Sequence, residues 1–364
     1  MKLIQDGQVI ATRSVWYDSE KNYVKLLDQT KLPYSTEVYT CKNIEETCKA
    51  IKTMIVRGAP AIGATAALGM VQAARASMEQ GSISPTLFAK NLEQAANKLI
   101  ATRPTARDLR NFVERVLVYS EQHDDLEIRV KNIEKTAIKL IEDLVKECQS
   151  IGEQGQFLIK DGMGILTHCN AGPIACVDWG TALAGPIKAH RDGIKFKVFI
   201  DETRPRLQGA KLTAWELLNE GIEHYIISDN AAYHFMQRGE IDLVIVGADR
   251  IAMNGDFANK IGTLGKAIAA KEFGIPFYSA APFTTFDQTC ESGDQIKIEE
   301  RRPEEVAGAW GLNTAEMMEF VRFVPKKSTS FCRNPAFDVT PAEFVTGFIT
   351  SQEIVTPENV KKLF

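Results

Sequence analysis

Five short apolar runs alternate with helical patterns from Gly162 onward: Ile165 to Thr167, Val198 to Ile200, Tyr225 to Ile227, Leu243 to Val246 and Pro276 to Tyr278. Apolar runs without inside–outside alternation suit strands covered on both faces. Spaced by helix-length segments, they form βα units around a parallel sheet. The pattern predicts an α/β fold whose C-terminal domain is a Rossmann-like parallel sheet. All strand exits of such a sheet lie along one edge, where ligands bind. Those exits read HCNAG (168–172), DETRP (201–205), SDNA (228–231), GADR (247–250) and SAAP (279–282). They bring Cys169, Asp201, Glu202, Asp229 and Asp249 toward a common region. One Asp after a strand is more often a turn former or a cap. A row of such exits holding a Cys and several carboxylates points to a site, with Cys169 and Asp249 its leading candidates.

A chain of 364 residues is long for one core, and two domains are expected. Residues 1–125 read as a smaller, mainly helical domain with short strands at Val15 to Tyr17 and Tyr23 to Leu27. Residues 126–156 read as a connecting helix, and 157–364 as the Rossmann-like domain. Two helix breaks in the first part each carry an arginine. VRGAPAIGA (56–64) sets Pro60 in a first helical turn, so the Gly58 and Ala59 amides beside Arg57 make either an anion pocket or a tight corner between helices. TRPTARDL (102–109) places Arg103 at a second break, with Thr105 suited to cap the next helix. Two such breaks suit a phosphate. Lys260 in FANKIGT, placed at the start of the helix after GADR, is a third cation or a solvated lysine.

Several classes are excluded. A hydrophobic fraction of 45%, a charged fraction of 25% and a net charge of -4 describe a globular protein, not a general nucleic-acid or membrane-surface binder. No signal or anchor pattern is read at MKLIQDGQVI, so a cytoplasmic location is expected. Seven scattered cysteines without a CxxC pair argue against a disulfide framework or structural zinc. GTLGKA (262–267) lacks the Walker A spacing, which leaves Lys266 as a helix-surface residue. DGMGILTH lacks the dinucleotide fingerprint. His168 beside Cys169 is a poor metal pair, and no metal is expected.

Taken together, RGAPAIG, the TRPT segment, HCNAG, DETRPRLQGA, GADRI, NKIGT and NPAFDVTP resemble the methylthioribose-1-phosphate isomerases, from LLDQTKLP (26–33) almost to the C-terminus. The same superfamily contains ribose-1,5-bisphosphate isomerases and regulatory subunits of a translation-initiation exchange factor. The resemblance implies conversion of 5-methylthioribose 1-phosphate to 5-methylthioribulose 1-phosphate, a step of methionine salvage. It implies Cys169 and Asp249 as catalytic residues, and Arg57, Gly58, Ala59, Arg103, Gln208, Asn259 and Lys260 as substrate-binding residues. It also implies a homodimer acting on a small sugar phosphate, with no cofactor and no metal. Gln208 and Asn259 come from the resemblance alone.

An aldose 1-phosphate has its anomeric oxygen blocked, so an acid must assist opening at the ring oxygen. A desolvated Asp249 suits that role, and Cys169 suits hydrogen movement from C2 to C1. Arg107, Asp108 and Arg110 stand where the family pattern continues with an apolar residue and Asn, and the segment Trp310 to Arg333 is longer and more charged. These departures keep 5-deoxyribose 1-phosphate as a rival substrate. A non-catalytic sugar-phosphate or nucleotide sensor is the rival of another class.

Overall fold

The computed structural model describes residues 1–364 apart from 6, 80, 82, 105, 121 and 122. The predicted cap at Thr105 lies outside the described residues. The five apolar runs form strands β1 (Gly164–Thr167), β2 (Lys197–Asp201), β3 (His224–Ile227), β4 (Leu243–Val246) and β5 (Phe277–Ala280). Two strands that the sequence did not announce, β6 (Gly347–Ile349) and β7 (Ile354–Val355), complete the sheet in the order β7-β6-β5-β4-β1-β2-β3. Every pairing is parallel except that of β6 with β7. The expected α/β architecture is therefore present. Residues of β1 and β4 are buried throughout, as apolar runs in a doubly covered sheet require.

The topology fixes where a ligand belongs. From β1 the chain moves outward through β2 and β3, then returns to pair β4 on the other side of β1, with Ile165 opposite Leu243 and Leu166 opposite Val244. The carboxyl ends of β1 and β4 thus flank the point where the winding reverses. HCNAG leaves one of these neighbouring strands and GADR leaves the other.

The N-terminal part is mainly helical: α1 (Ile44–Lys52), α2 (Ala59–Met78), α3 (Pro85–Thr102), α4 (Arg107–Ser120) and α5 (Leu126–Gly155), with a small antiparallel sheet of Val15–Asp18, Tyr23–Leu27 and Val38–Cys41. α2 is apolar nearly all round and is enclosed by α1, α3, α4 and α5. Its small residues make that possible: a Cβ on Gly63 would lie 3.1 Å from the Asp108 carbonyl oxygen, and one on Gly69 3.2 Å from the Leu99 and Thr47 side chains. α5 buries Ile133 through Cys148 in this helical core. Its end packs on the sheet-side helix Ala184–Arg191, where a Cβ on Gly152 would lie 2.9 Å from the Ala184 carbonyl oxygen. No described helix is long and apolar enough to cross a membrane.

Two sequence expectations need correction. The segment after GADR does not enter a helix directly. Arg250–Ala252 and Phe257–Lys260 pair as an antiparallel hairpin inside a second sheet, and the helix begins only at Thr263. Asn254 and Gly255, the latter at φ +87, form the connecting turn, a local hairpin signal that the helical reading overlooked. Lys260 is thus the last residue of a strand. Lys266 is not a surface residue either. It is 2% exposed, and its Nζ lies 3.3 Å from Asp201 Oδ2.

Asp201 also bonds His168 Nδ1 at 2.7 Å, while His168 Nε2 lies 2.9 Å from the Ile261 carbonyl oxygen. A carbonyl only accepts, so Nε2 carries a proton and the other ring nitrogen shares one with Asp201. This buried triad ties the exits of β1 and β2 to the helix Thr263–Glu272. Lys266→Met leaves Asp201 without its ammonium partner and is expected to lower unfolding free energy by about 3 kcal/mol in urea titrations.

Candidate active site

The exits of β1 and β4, the starts of α2 and α4, and the second sheet enclose one cavity of about 400 Å³. All nine residues singled out from the sequence line it: Arg57, Gly58, Ala59, Arg103, Cys169, Gln208, Asp249, Asn259 and Lys260. Asp201, Glu202 and Asp229 do not. Asp201 is turned into the triad with His168 and Lys266, and Asp229 accepts from the Thr203 and Arg204 amides at 2.7 Å. His168, Asp201 and Asp229 lie close enough together to suggest a metal ligand set. Both ring nitrogens of His168, Asp201 Oδ2 and both oxygens of Asp229 are already engaged by these partners, while Asp201 Oδ1 is buried without one.

Cys169 holds a left-handed backbone at φ +67, rare for a residue with a side chain. Two threonines secure it. The Cys169 amide donates to Thr203 Oγ1 at 2.9 Å, and Thr213 Oγ1 donates to the Cys169 carbonyl at 2.8 Å. The sharp turn after β1 presents its side chain to the cavity rather than to the core.

Gly58 caps α2 at φ +100, and a Cβ there would stand 2.4 Å from the Ala175 carbonyl oxygen, so only glycine allows this approach between the two halves of the cavity. Beside it, the Arg57 guanidinium donates to the Asn170 carbonyl at 3.2 Å and to Asn170 Oδ1, while its Nε is enclosed without a partner. Asn170 can face Arg57 with its oxygen because its amide nitrogen is held by Thr213 and Glu216. Glu216, 3% exposed, also accepts from the Ile174 amide at 2.6 Å, and burial pushes its carboxyl up to about 7.

Arg103 ends α3, as its place at a helix break suggested. Lys260, 5% exposed, donates from Nζ to the Ala336 carbonyl at 2.8 Å and stands 4.6 Å from the Phe337 ring centroid. Burial lowers the pKa of Arg57, Arg103 and Lys260, the last to about 8, with Arg301 adding to the fall for Lys260 and Arg103. Asp249 moves the other way. Burial raises its carboxyl above the usual range despite the opposing charges of Lys260, Arg301, Arg103 and Arg57. A carboxyl of this kind holds its proton to higher pH than an exposed Asp and suits a general acid. Gln208 keeps a buried Oε1 without a hydrogen-bond partner, and Asn259 is fixed through its amide by Thr263 Oγ1 at 3.0 Å. A compact cluster of cations with one acid, Asp249, and the Cys169 thiol, beside a second buried thiol at Cys176, suits a small phosphorylated substrate that needs protonation.

Sequence reasoning missed Asn170, Arg206, Arg301 and Phe337, all of which line the cavity. Asn170 and Arg206 sit inside the quoted HCNAG and DETRPRLQGA motifs, so their signal was present. Arg301 stands in a charged stretch with no pattern of its own. Two departures from the family pattern also find their place. Arg107, which lines the cavity, pairs with Asp287, which also lies 3.6 Å from Arg250. None of the residues from 310 to 333 lines the cavity, and the segment instead carries a hairpin of Gly308–Leu312 with Met318–Arg322.

A doubly wound sheet with this cavity at its switch point fits the Initiation factor 2 subunit family, whose model matches residues 55–357, and the chain belongs to that family. Within it, the chain is 48% identical over 345 residues to the methylthioribose-1-phosphate isomerase of Thermotoga maritima, across 94% of this chain and 96% of that protein. The 5-methylthioribose 1-phosphate isomerase structure from Pyrococcus horikoshii is 41% identical with a TM-score of 0.83, over 97% of this chain and 96% of that one. A structure described as translation initiation factor eIF-2B, subunit delta, from A. fulgidus is 39% identical with a TM-score of 0.82, over 97% of this chain and 100% of that one.

Glu216 gives the site a pH signature in stability. Its carboxyl is raised from an ordinary 4.5 to about 7, so the native state keeps a proton that the unfolded chain releases. Stability therefore falls as pH rises through that window, and the cost is complete above about 7. Glu216→Gln is expected to flatten this fall. Urea unfolding of both proteins below and above the window measures it, and an undiminished pH dependence in the variant would contradict the assignment.

Proposed function

We propose that this protein is an aldose–ketose isomerase that converts 5-methylthioribose 1-phosphate to 5-methylthioribulose 1-phosphate. The carrying observation is that Cys169 and Asp249 leave hydrogen-bonded neighbouring strands and enter one cavity whose other charged groups are cations. The names of the similar proteins supply the substrate, and the cavity supplies groups suited to it.

In this reading the phosphate rests on Arg57, Arg103 and Lys260 and on the amides of Gly58 and Ala59 at the start of α2. Asp249 gives its proton to the ring oxygen, and the C1–ring oxygen bond breaks. Hydrogen then moves from C2 to C1. Either Cys169 as thiolate removes it as a proton, which is returned at C1, or it shifts as hydride; in both routes the C2 hydroxyl gives up its proton, which returns to the Asp249 carboxylate, to leave the ketone. Gln208 Oε1 and Asn259 are placed to hold the sugar hydroxyls. The enclosed cavity keeps water from the open-chain intermediate. A homodimer without metal or organic cofactor completes the reading, and sedimentation velocity tests the dimer.

One rival has an observation behind it. The likeness to the structure described as an initiation-factor subunit agrees with a non-catalytic sugar-phosphate or nucleotide sensor. A binding module has no need of a thiol and a raised carboxyl facing one cavity, so the isomerase is preferred.

Incubation with methylthioribose 1-phosphate, 5-deoxyribose 1-phosphate and ribose 1-phosphate, followed by NMR, is expected to give ketose fastest from the first. Comparable turnover of the first two would mean a broad 5-position, and no turnover of any would favour the sensor. Deuterium at C2 tests the routes: any exchange with water during turnover requires the proton route, whereas a hydride shift retains all of it at C1. Cys169→Ala and Asp249→Asn are each expected to lower kcat by about 1,000-fold or more, the scale on which a general acid and its partner groups act together. Near-normal kcat in either variant would remove that residue from the mechanism.

A further inference from the structure

Arg301 lines the cavity and bears on the charges of Lys260, Arg103 and Asp249, yet its guanidinium has no close partner. Its side chain is 11% exposed, its Nε is enclosed without a hydrogen-bond partner, and its guanidinium donates no hydrogen bond to the described residues. The nearest counter-charge is Glu299 Oε1 at 3.6 Å, too far for a hydrogen bond. The backbone is nevertheless anchored: the Arg301 amide donates to the Asn334 carbonyl at 2.8 Å. Its guanidinium carbon lies 5.6 Å from the centroid of Phe337, the same ring that Lys260 Nζ approaches to 4.6 Å. Two cations are thus gathered on one aromatic ring in the wall of the cavity that Arg57 and Arg103 also line.

Gathering like charges in an enclosed site is unfavourable unless an anion joins them. Arg301 is the leading charge that depresses Lys260 and Arg103, after burial itself. A carboxylate has too few acceptors for this many forks, whereas a phosphate offers several oxygens in a geometry that a guanidinium matches in a bidentate way. We propose that Arg301 is a further substrate-binding residue that grips the phosphate together with Arg57, Arg103 and Lys260. The inference rests on the isomerase reading for its substrate, but not for its anion.

The test uses the full-length protein with Arg301→Gln and Arg301→Lys. With methylthioribose 1-phosphate, Arg301→Gln is expected to raise KM by about 10-fold or more, the scale of one charged hydrogen bond, while kcat changes by less than about 3-fold. Inorganic phosphate, titrated by calorimetry, should weaken by a similar factor. Arg301→Lys keeps the charge without the fork and should fall between. If Arg301→Gln does not fold, as judged by its thermal transition, Arg301→Lys carries the test with an expected rise in KM of about 3-fold. Unchanged KM and phosphate affinity would overturn the proposal, and so would a loss confined to kcat, which would mean that Arg301 acts on Asp249 or Lys260 instead. If the wild-type protein turns over no sugar phosphate, the isomerase reading fails. The phosphate titrations alone then decide the role of Arg301.

Discussion

The parallel pairing of Gly164–Thr167 with Leu243–Val246 is the constraint on which the rest of the molecule depends. It joins strands that lie far apart in the chain and makes their carboxyl ends neighbours. It also sets the reversal of winding between them, which opens a crevice that no single βα unit would create. Cys169 and Asp249 face one space because of this pairing. The triad of His168, Asp201 and Lys266 then braces the first exit, and the hairpin from Arg250 to Lys260 folds the second exit back over the crevice.

The helical half closes the other side by close approach more than by large side chains. A Cβ at Gly58 would collide with Ala175, and small residues along α2 let it sit inside a ring of helices. Arg57 and Arg103 arrive where helices begin or end. The resulting enclosure is what makes its charges unusual: burial lowers the pKa of Arg57, Arg103 and Lys260 and raises that of Asp249. Both movements have the same cause, the removal of water from ionised groups.

Much of this was legible in the sequence. The β1–β5 strands were readable because each is a short apolar run with a polar exit. Arg57 and Arg103 were readable because proline and glycine mark the breaks around them. β6 and β7 were not, since three- and two-residue strands carry too little pattern. Lys266 misled because a lysine in a helical stretch is nearly always solvated, and only the fold shows the buried carboxylate that holds it. The hairpin after GADR was hidden by a prior for helices after strands, although Asn254 and Gly255 announced it. Glu216 meets Asn170 and Ile174, and Arg301 meets Phe337, at long sequence separation, which no local pattern encodes.

The enclosed ring of cations has a consequence for turnover on the proposed reaction. The phosphate remains esterified to the same carbon from aldose to ketose, so every group that holds it holds reactant and product alike. Such binding lowers KM without selecting the transition state. Product is then retained about as firmly as substrate, and flux through the enzyme depends on whatever removes the ketose. The burden of discrimination falls on the small part of the cavity that meets the moving hydrogen and the opening ring, where Cys169 and Asp249 stand.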